Sequence, residues 1–224
     1  HSIITKPIVI IGDGWCGFRV IAHWVKNNQD AYIDVKKDML ACFMENKQIY
    51  QKLFKGLIRS NEQIEQILSY GIGNPEDAAC FCPTVYWFRS PECVQIAADT
   101  YRRPIAVYPD NDRKKPGSEE YAYAPLLYVP FKGPTQEKSS PIIMQHSNGN
   151  HWVTVDIKRR LKMEWPCISS SDIKAYKSMG NSGNLRKTIW RHLQIVKRDD
   201  EKPRSDVEEK LLFESAMVVD EDMQ

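Results

Sequence analysis

Apolar positions recur along this chain with two different periods, and each change of period marks where helices give way to strands. Pro7-Ile8-Val9-Ile10-Ile11 is a short β-branched run ended by Gly12-Asp13-Gly14, which predicts a strand entering a tight turn. Phe18, Ile21, Ala22 and Val25 then repeat at helical spacing, so the turn opens a helix. Val35, Met39, Phe43, Tyr50 and Phe54 make a second apolar stripe and predict one helix over 34–55. A third is expected over 61–70, from an N-capping Asn61 to a stop at Gly71. Ser90-Pro91-Glu92 reads as a helix start, a capping side chain followed by proline at the first helical position, with Val94, Ala97, Ala98 and Tyr101 facing inward.

The middle of the chain changes character. Residues 104–108, 126–129 and 142–144 read as three short strands separated by polar, proline-rich loops at 109–120 and 132–140. Asn148-Gly149 is a hairpin turn signal, because both residue types tolerate positive φ. The strand after it, 151–157, alternates His151, Val153, Val155 and Ile157 against Trp152, Thr154 and Asp156, and the apolar set is expected to face inward. Beyond 158 the pattern is helical again, with a stripe of Leu185, Ile189, Leu193 and Val196 and a capping box at Ser205-Asp206-Val207-Glu208. The chain therefore divides into a domain over 1–157 and a helical C-terminal extension over 158–224.

With 224 residues, 42% hydrophobic and 27% charged, the composition is that of a folding globular chain. No apolar run approaches the roughly 20 residues that span a bilayer, and no signal-peptide pattern opens the sequence, so an intracellular protein, cytoplasmic or nuclear, is expected. In that setting the six cysteines read as reduced thiols. A structural metal is not expected, since Cys80 and Cys82 are one residue apart and no second pair matches them. The net charge of +2 hides an uneven distribution: residues 151–198 hold 11 basic against 3 acidic side chains, and residues 199–224 hold 3 against 10. Two solvated helix faces that attract one another account for this better than a nucleic-acid patch.

The chemistry concentrates at Asp13-Gly14-Trp15-Cys16-Gly17-Phe18-Arg19. Here a cysteine meets the first turn of a helix, where unpaired backbone N–H groups and the helix dipole favour a thiolate and could hold an oxyanion. The alternative is a small buried cysteine. A nucleophilic thiol needs a base, and of the five histidines His151 is the candidate, at the head of a strand whose other same-face residues are apolar. It could equally be a core histidine satisfied by hydrogen bonds.

Residues 13–19 resemble the Asp-Gly-x-Cys-x-Phe-Arg nucleophile motif of the ovarian tumour (OTU) family of cysteine deubiquitinases, and Asn150-His151-Trp152 resembles its Asn-His-aromatic motif. Ala97-Ala98 and Pro104-Ile105-Ala106-Val107-Tyr108 stand where that pattern has an alanine-rich helix and a strand. The resemblance covers about residues 7–157. It implies an α+β fold, a small and mostly antiparallel sheet of four or five strands covered by helices, with the nucleophile at a helix N-terminus. It also implies thiol-dependent hydrolysis of the peptide or isopeptide bond after the C-terminal Gly-Gly of ubiquitin, polyubiquitin or another ubiquitin-like modifier, without a cofactor.

Carried over residue by residue, Cys16 is the nucleophile, His151 the base, and Asp13 the brace of the loop. Gly14, Trp15 and Cys16 supply the oxyanion amides, Trp15, Trp152 and Asn150 stand beside the substrate, and Arg19 anchors the turn. Two departures are visible. Trp15 stands where the family usually has asparagine, and Val153 stands where a third triad member is common. These motivate a rival reading, a ubiquitin-binding module of the same fold with weak or no turnover. A nucleic-acid-binding role for the basic segment is the least favoured of the three readings.

Overall fold

Asn148 and Gly149 both adopt positive φ, 53° and 69°, and so turn the chain between the two strands that organise the sheet. The computed structural model describes residues 4–54, 61–109, 125–131 and 141–157, with positions 166 and 168. Its strands are β1 (Ile4–Ile8), β2 (Ile105–Tyr108), β3 (Leu126–Tyr128), β4 (Ile142–Ser147) and β5 (His151–Ile157). They form one sheet in the order β1-β5-β4-β2-β3, antiparallel throughout except for the β2 and β4 pair. The fold is α+β, a small sheet with helices packed against it. The expected helices at 185–196 and 205–212, and with them the 158–224 extension, lie outside the described residues.

Helix α1 (Cys16–Lys26) is central and is buried on every side over its first two turns, from Cys16 to Ala22. It leans on the sheet through Trp24, whose indole N–H donates to Thr154 Oγ1 (2.8 Å), while that hydroxyl donates to the Ile143 carbonyl (2.6 Å). On its other side stands α2 (Tyr32–Glu45), which contributes Val35, Met39 and Phe43 to the core. Helix α6 (Glu92–Tyr101) adds Val94, Ile96, Ala97 and Ala98. Each large side chain so buried contributes about 1.5–3 kcal/mol from apolar area alone.

Several expectations shift. The run 7–11 is only in part a strand. β1 ends at Ile8, Val9 is 84% exposed, and the Gln29 amide both accepts from the Ile11 N–H (3.1 Å) and donates to the Val9 carbonyl (3.3 Å). The helix expected over 34–55 is two, α2 and α3 (Lys47–Leu53), because Asn46 closes the first with its backbone N–H and its side-chain amide, both donating to the Cys42 carbonyl. Helix α4 (Asn61–Ser69) ends before Gly71, which has φ +79°. Helix α6 begins one residue later than expected, with Pro91 in the N-cap place and Ser90 Oγ hydrogen-bonded to Tyr128 OH (3.2 Å) rather than capping. A short helix, α5 (Pro75–Ala79), adds to the expected set; Asn74 capping the Glu76 N–H (3.0 Å), with proline next and acids in the first turn, is its start signal.

The largest correction concerns β5. Trp152 and Thr154 face the core, and His151, Val153 and Val155 lie on the half-buried face. The strand alternates as expected but in the opposite sense, because the wide indole of Trp152 and the helix-bonded hydroxyl of Thr154 outcompete two valines for the space under α1.

Candidate active site

The turn between β1 and α1 is fixed by its charged ends. Asp13 accepts from the Trp15 N–H (3.1 Å) and takes Arg19 through both Nε (3.1 Å) and Nη2 (2.6 Å). Arg19 reaches on to Asp30 (2.7 Å) and lies over the Tyr32 ring at 4.2 Å. A guanidinium with two carboxylates and an aromatic face is a rigid anchor.

Above this anchor Gly14 turns with φ +83° and Cys16 begins α1, only 4% exposed. Its sulfur accepts the backbone N–H of Trp152 at 3.4 Å. The first turn of the helix is thus held against the start of β5. His151 is half-buried, and a Cβ on Gly12 would lie 3.7 Å from its Cε1 and 3.8 Å from its Nδ1, so the imidazole rests over the turn that leads to Cys16. Its cross-strand neighbour is Ser147, and Gln145 stands opposite Val153. Asn150 is exposed in the turn before the strand.

The thiol itself departs from expectation. Burial pushes the Cys16 pKa up and outweighs the N–H groups of Trp152, Gly17 and Cys16 that favour the thiolate, while the Asp13 charge pushes it further up. The dipole argument has the right sign for its own contribution and loses to desolvation.

Two residues assigned to the substrate side are turned inward. The Trp15 ring is fully buried, stacked on Tyr70 (5.7 Å between centroids, 15° between planes) and near Tyr32 (5.4 Å), with its indole N–H donating to the Cys80 carbonyl (3.1 Å). Trp152, 7% exposed, packs edge-on to Phe88 and donates its indole N–H to the Phe88 carbonyl (3.4 Å). Neither ring is placed to touch a substrate. The Trp15 amide is also engaged by Asp13, and the first-turn amides that favour a thiolate at Cys16 are those of Cys16 and Gly17.

A feature that sequence reasoning misses is the segment 80–88. The Cys82 N–H donates to the Asp13 carbonyl (2.8 Å), the Trp87 indole donates to the Cys82 carbonyl (2.9 Å), and Phe88 packs on Gly17 and Phe18. The segment carries Phe81 and Val85 outward, 62% and 59% exposed. Burial pushes the Cys82 thiol up to about 12. Glycine at 14 and 17 is the signal that could have found it, since backbone that tolerates no Cβ marks a close approach.

A cavity of about 400 Å³ between α2, α3 and α6 is lined in part by Asp38, Glu45 and Asp99. Two of these carboxylates are already bonded. Asp99 accepts from Tyr50 OH (2.8 Å) and the Phe131 N–H (2.7 Å), and Asp38 accepts from Tyr101 OH (2.9 Å) and Lys26 (3.0 Å). They hold the fold together there.

Among solved structures the chain is similar to the OTU domain of OTUD1, at 14% identity over 67% of this chain and 85% of that one, with a TM-score of 0.44. It is also similar to the viral OTU domain proteases of Dera Ghazi Khan virus (18% identity, 68% and 81% covered, TM-score 0.41) and Farallon virus (17%, 68% and 84%, 0.43). All three are OTU domains. No protein-family model matches the chain, and no curated protein does.

Proposed function

We propose that this protein is a thiol-dependent hydrolase of the peptide or isopeptide bond after the C-terminal Gly-Gly of ubiquitin, polyubiquitin or a ubiquitin-like modifier. The observation that carries the reading is the 3.4 Å approach of the Trp152 amide to the Cys16 sulfur, which sets a cysteine at a helix N-terminus beside the strand that begins with His151. In the reaction His151 takes the thiol proton and the sulfur adds to the scissile carbonyl. The C–N bond then breaks as the imidazolium returns the proton to the leaving amine, and a thioester remains. Water adds to it, giving a proton to His151, and the C–S bond breaks to restore the thiol and release a carboxylate. The Cys16 and Gly17 amides at the open first turn stabilise the oxyanion of both addition steps. Action in the cytoplasm or nucleus, where thiols stay reduced, fits this chemistry.

Mixing the protein with ubiquitin that carries a C-terminal electrophile, beside Cys16→Ala and His151→Ala, tests the reading by intact mass. A covalent adduct lost with Cys16→Ala is expected. No adduct with ubiquitin or any ubiquitin-like probe would overturn it. The second reading, a binding module with little turnover, is favoured by the buried, upward-shifted thiol and by Val153 in place of a polar residue; retained ubiquitin binding without any adduct would establish it.

A further inference from the structure

Trp15 occupies the N-cap place of α1 yet makes no side-chain cap, and its large ring is engaged elsewhere. The indole N–H donates to the Cys80 carbonyl, the ring stacks on Tyr70, and Tyr70 stacks in turn on Tyr86 at 4.0 Å. The segment so held returns to the nucleophile turn at two glycines. A Cβ on Gly14 would come within 2.7 Å of the Cys82 carbonyl and the Trp87 indole nitrogen, and one on Gly17 within 2.4 Å of Phe88.

We propose that Trp15 is a positioning residue for Cys16: through Cys80 and Tyr70 it locks the 80–88 segment over the first turn of α1 and so holds the thiol in one buried place. The catalytic consequence rests on the hydrolase reading; the effect on the thiol does not. Loosening the lock uncovers the sulfur, which removes the burial that opposes ionisation while costing the fixed geometry that acyl transfer needs.

The test uses two variants of the full chain. Trp15→Phe keeps a ring between Tyr32 and Tyr70 but removes the N–H to Cys80 together with the second ring of the indole; Tyr70→Leu removes the outer layer of the stack. The rate at which iodoacetamide alkylates Cys16 is followed by site-resolved mass spectrometry as pH is raised, beside labelling by the ubiquitin electrophile. Since one hydrogen bond is worth a factor of about 2–10, alkylation of Cys16 is expected to quicken about threefold or more in Trp15→Phe, with its pH midpoint moved down, while ubiquitin labelling slows by about tenfold. Tyr70→Leu should move both in the same directions. Unchanged alkylation in both variants overturns the proposal whatever the probe does, and so does faster alkylation with undiminished labelling. Wild type that no ubiquitin probe labels would sink the hydrolase reading and leave the alkylation result to decide the role of Trp15. If Trp15→Phe fails to fold by circular dichroism, Tyr70→Leu decides alone.

Discussion

The backbone N–H of Trp152 points at the sulfur of Cys16 across 3.4 Å, joining two residues 136 positions apart in the chain. It is a main-chain donor, so the contact survives any change of the side chain at 152 that keeps the strand. The expected outcome is that Trp152→Phe retains reactivity at Cys16 with ubiquitin electrophile, losing stability rather than turnover. The measurement is labelling rate beside thermal unfolding, and a labelling rate that falls to the level of Cys16→Ala would contradict it.

Burial raises the Cys16 thiol above its ordinary value, so at neutral pH the resting side chain carries its proton. Reactivity with a small alkylating agent should therefore climb with pH and still be climbing about one unit above the ordinary thiol pKa of about 8.5, where an exposed thiol has levelled off. Alkylation of the Cys16 peptide that has levelled off by about pH 9.5, as that of an exposed thiol does, would contradict this.

Arg19 holds Asp13, Asp30 and the Tyr32 face together and is itself buried, 7% exposed. Arg19→Ala leaves Asp13 without its cation and is expected to cost about 1.5–3 kcal/mol, the worth of hydrogen bonds to charged groups, measured by urea unfolding. Arg19→Lys should recover only part, because an ammonium cannot fork across Asp13 Oδ1 and Oδ2 while reaching Asp30.

Lys36 is fully buried, its amine over the Phe18 ring at 4.1 Å and donating to the Ile67 carbonyl, and burial lowers its pKa to about 7 from the ordinary 10.5. Between those values the unfolded chain holds a proton that the folded one has released. Stability should thus rise as pH climbs from about 7 toward 10.5, and Lys36→Met should remove this rise. Unfolding midpoints at both ends of the window decide it; an equal rise in the variant would assign the slope to other groups.

Patterns with a single local cause are legible in the amino-acid sequence. The Asn148-Gly149 turn, the helix opened after Gly14 and the strands at 105–108 and 126–128 follow from steric freedom, caps and β-branched runs. Features set by competition between distant parts are not. Whether Trp152 or Val153 faces inward is decided by the space beneath α1, the ionisation of Cys16 by its burial where α1 meets the start of β5, and the direction of the Trp15 ring by a carbonyl 65 residues away. Cys16, Asp13, Arg19 and His151 stand out by motif and charge; the inward turn of Trp15 and Trp152 has no such local mark.

The turn at 148–150 also counts. Side chains alternate along β5 with a period of two, so a one-residue slip of its register against β4, which a single insertion or deletion produces when the turn keeps its geometry, would exchange the two faces of the strand. Trp152 would swing into solvent and His151 into the packed interior. The turn is therefore also a register lock, and by holding that register it fixes on which side of the sheet the imidazole emerges.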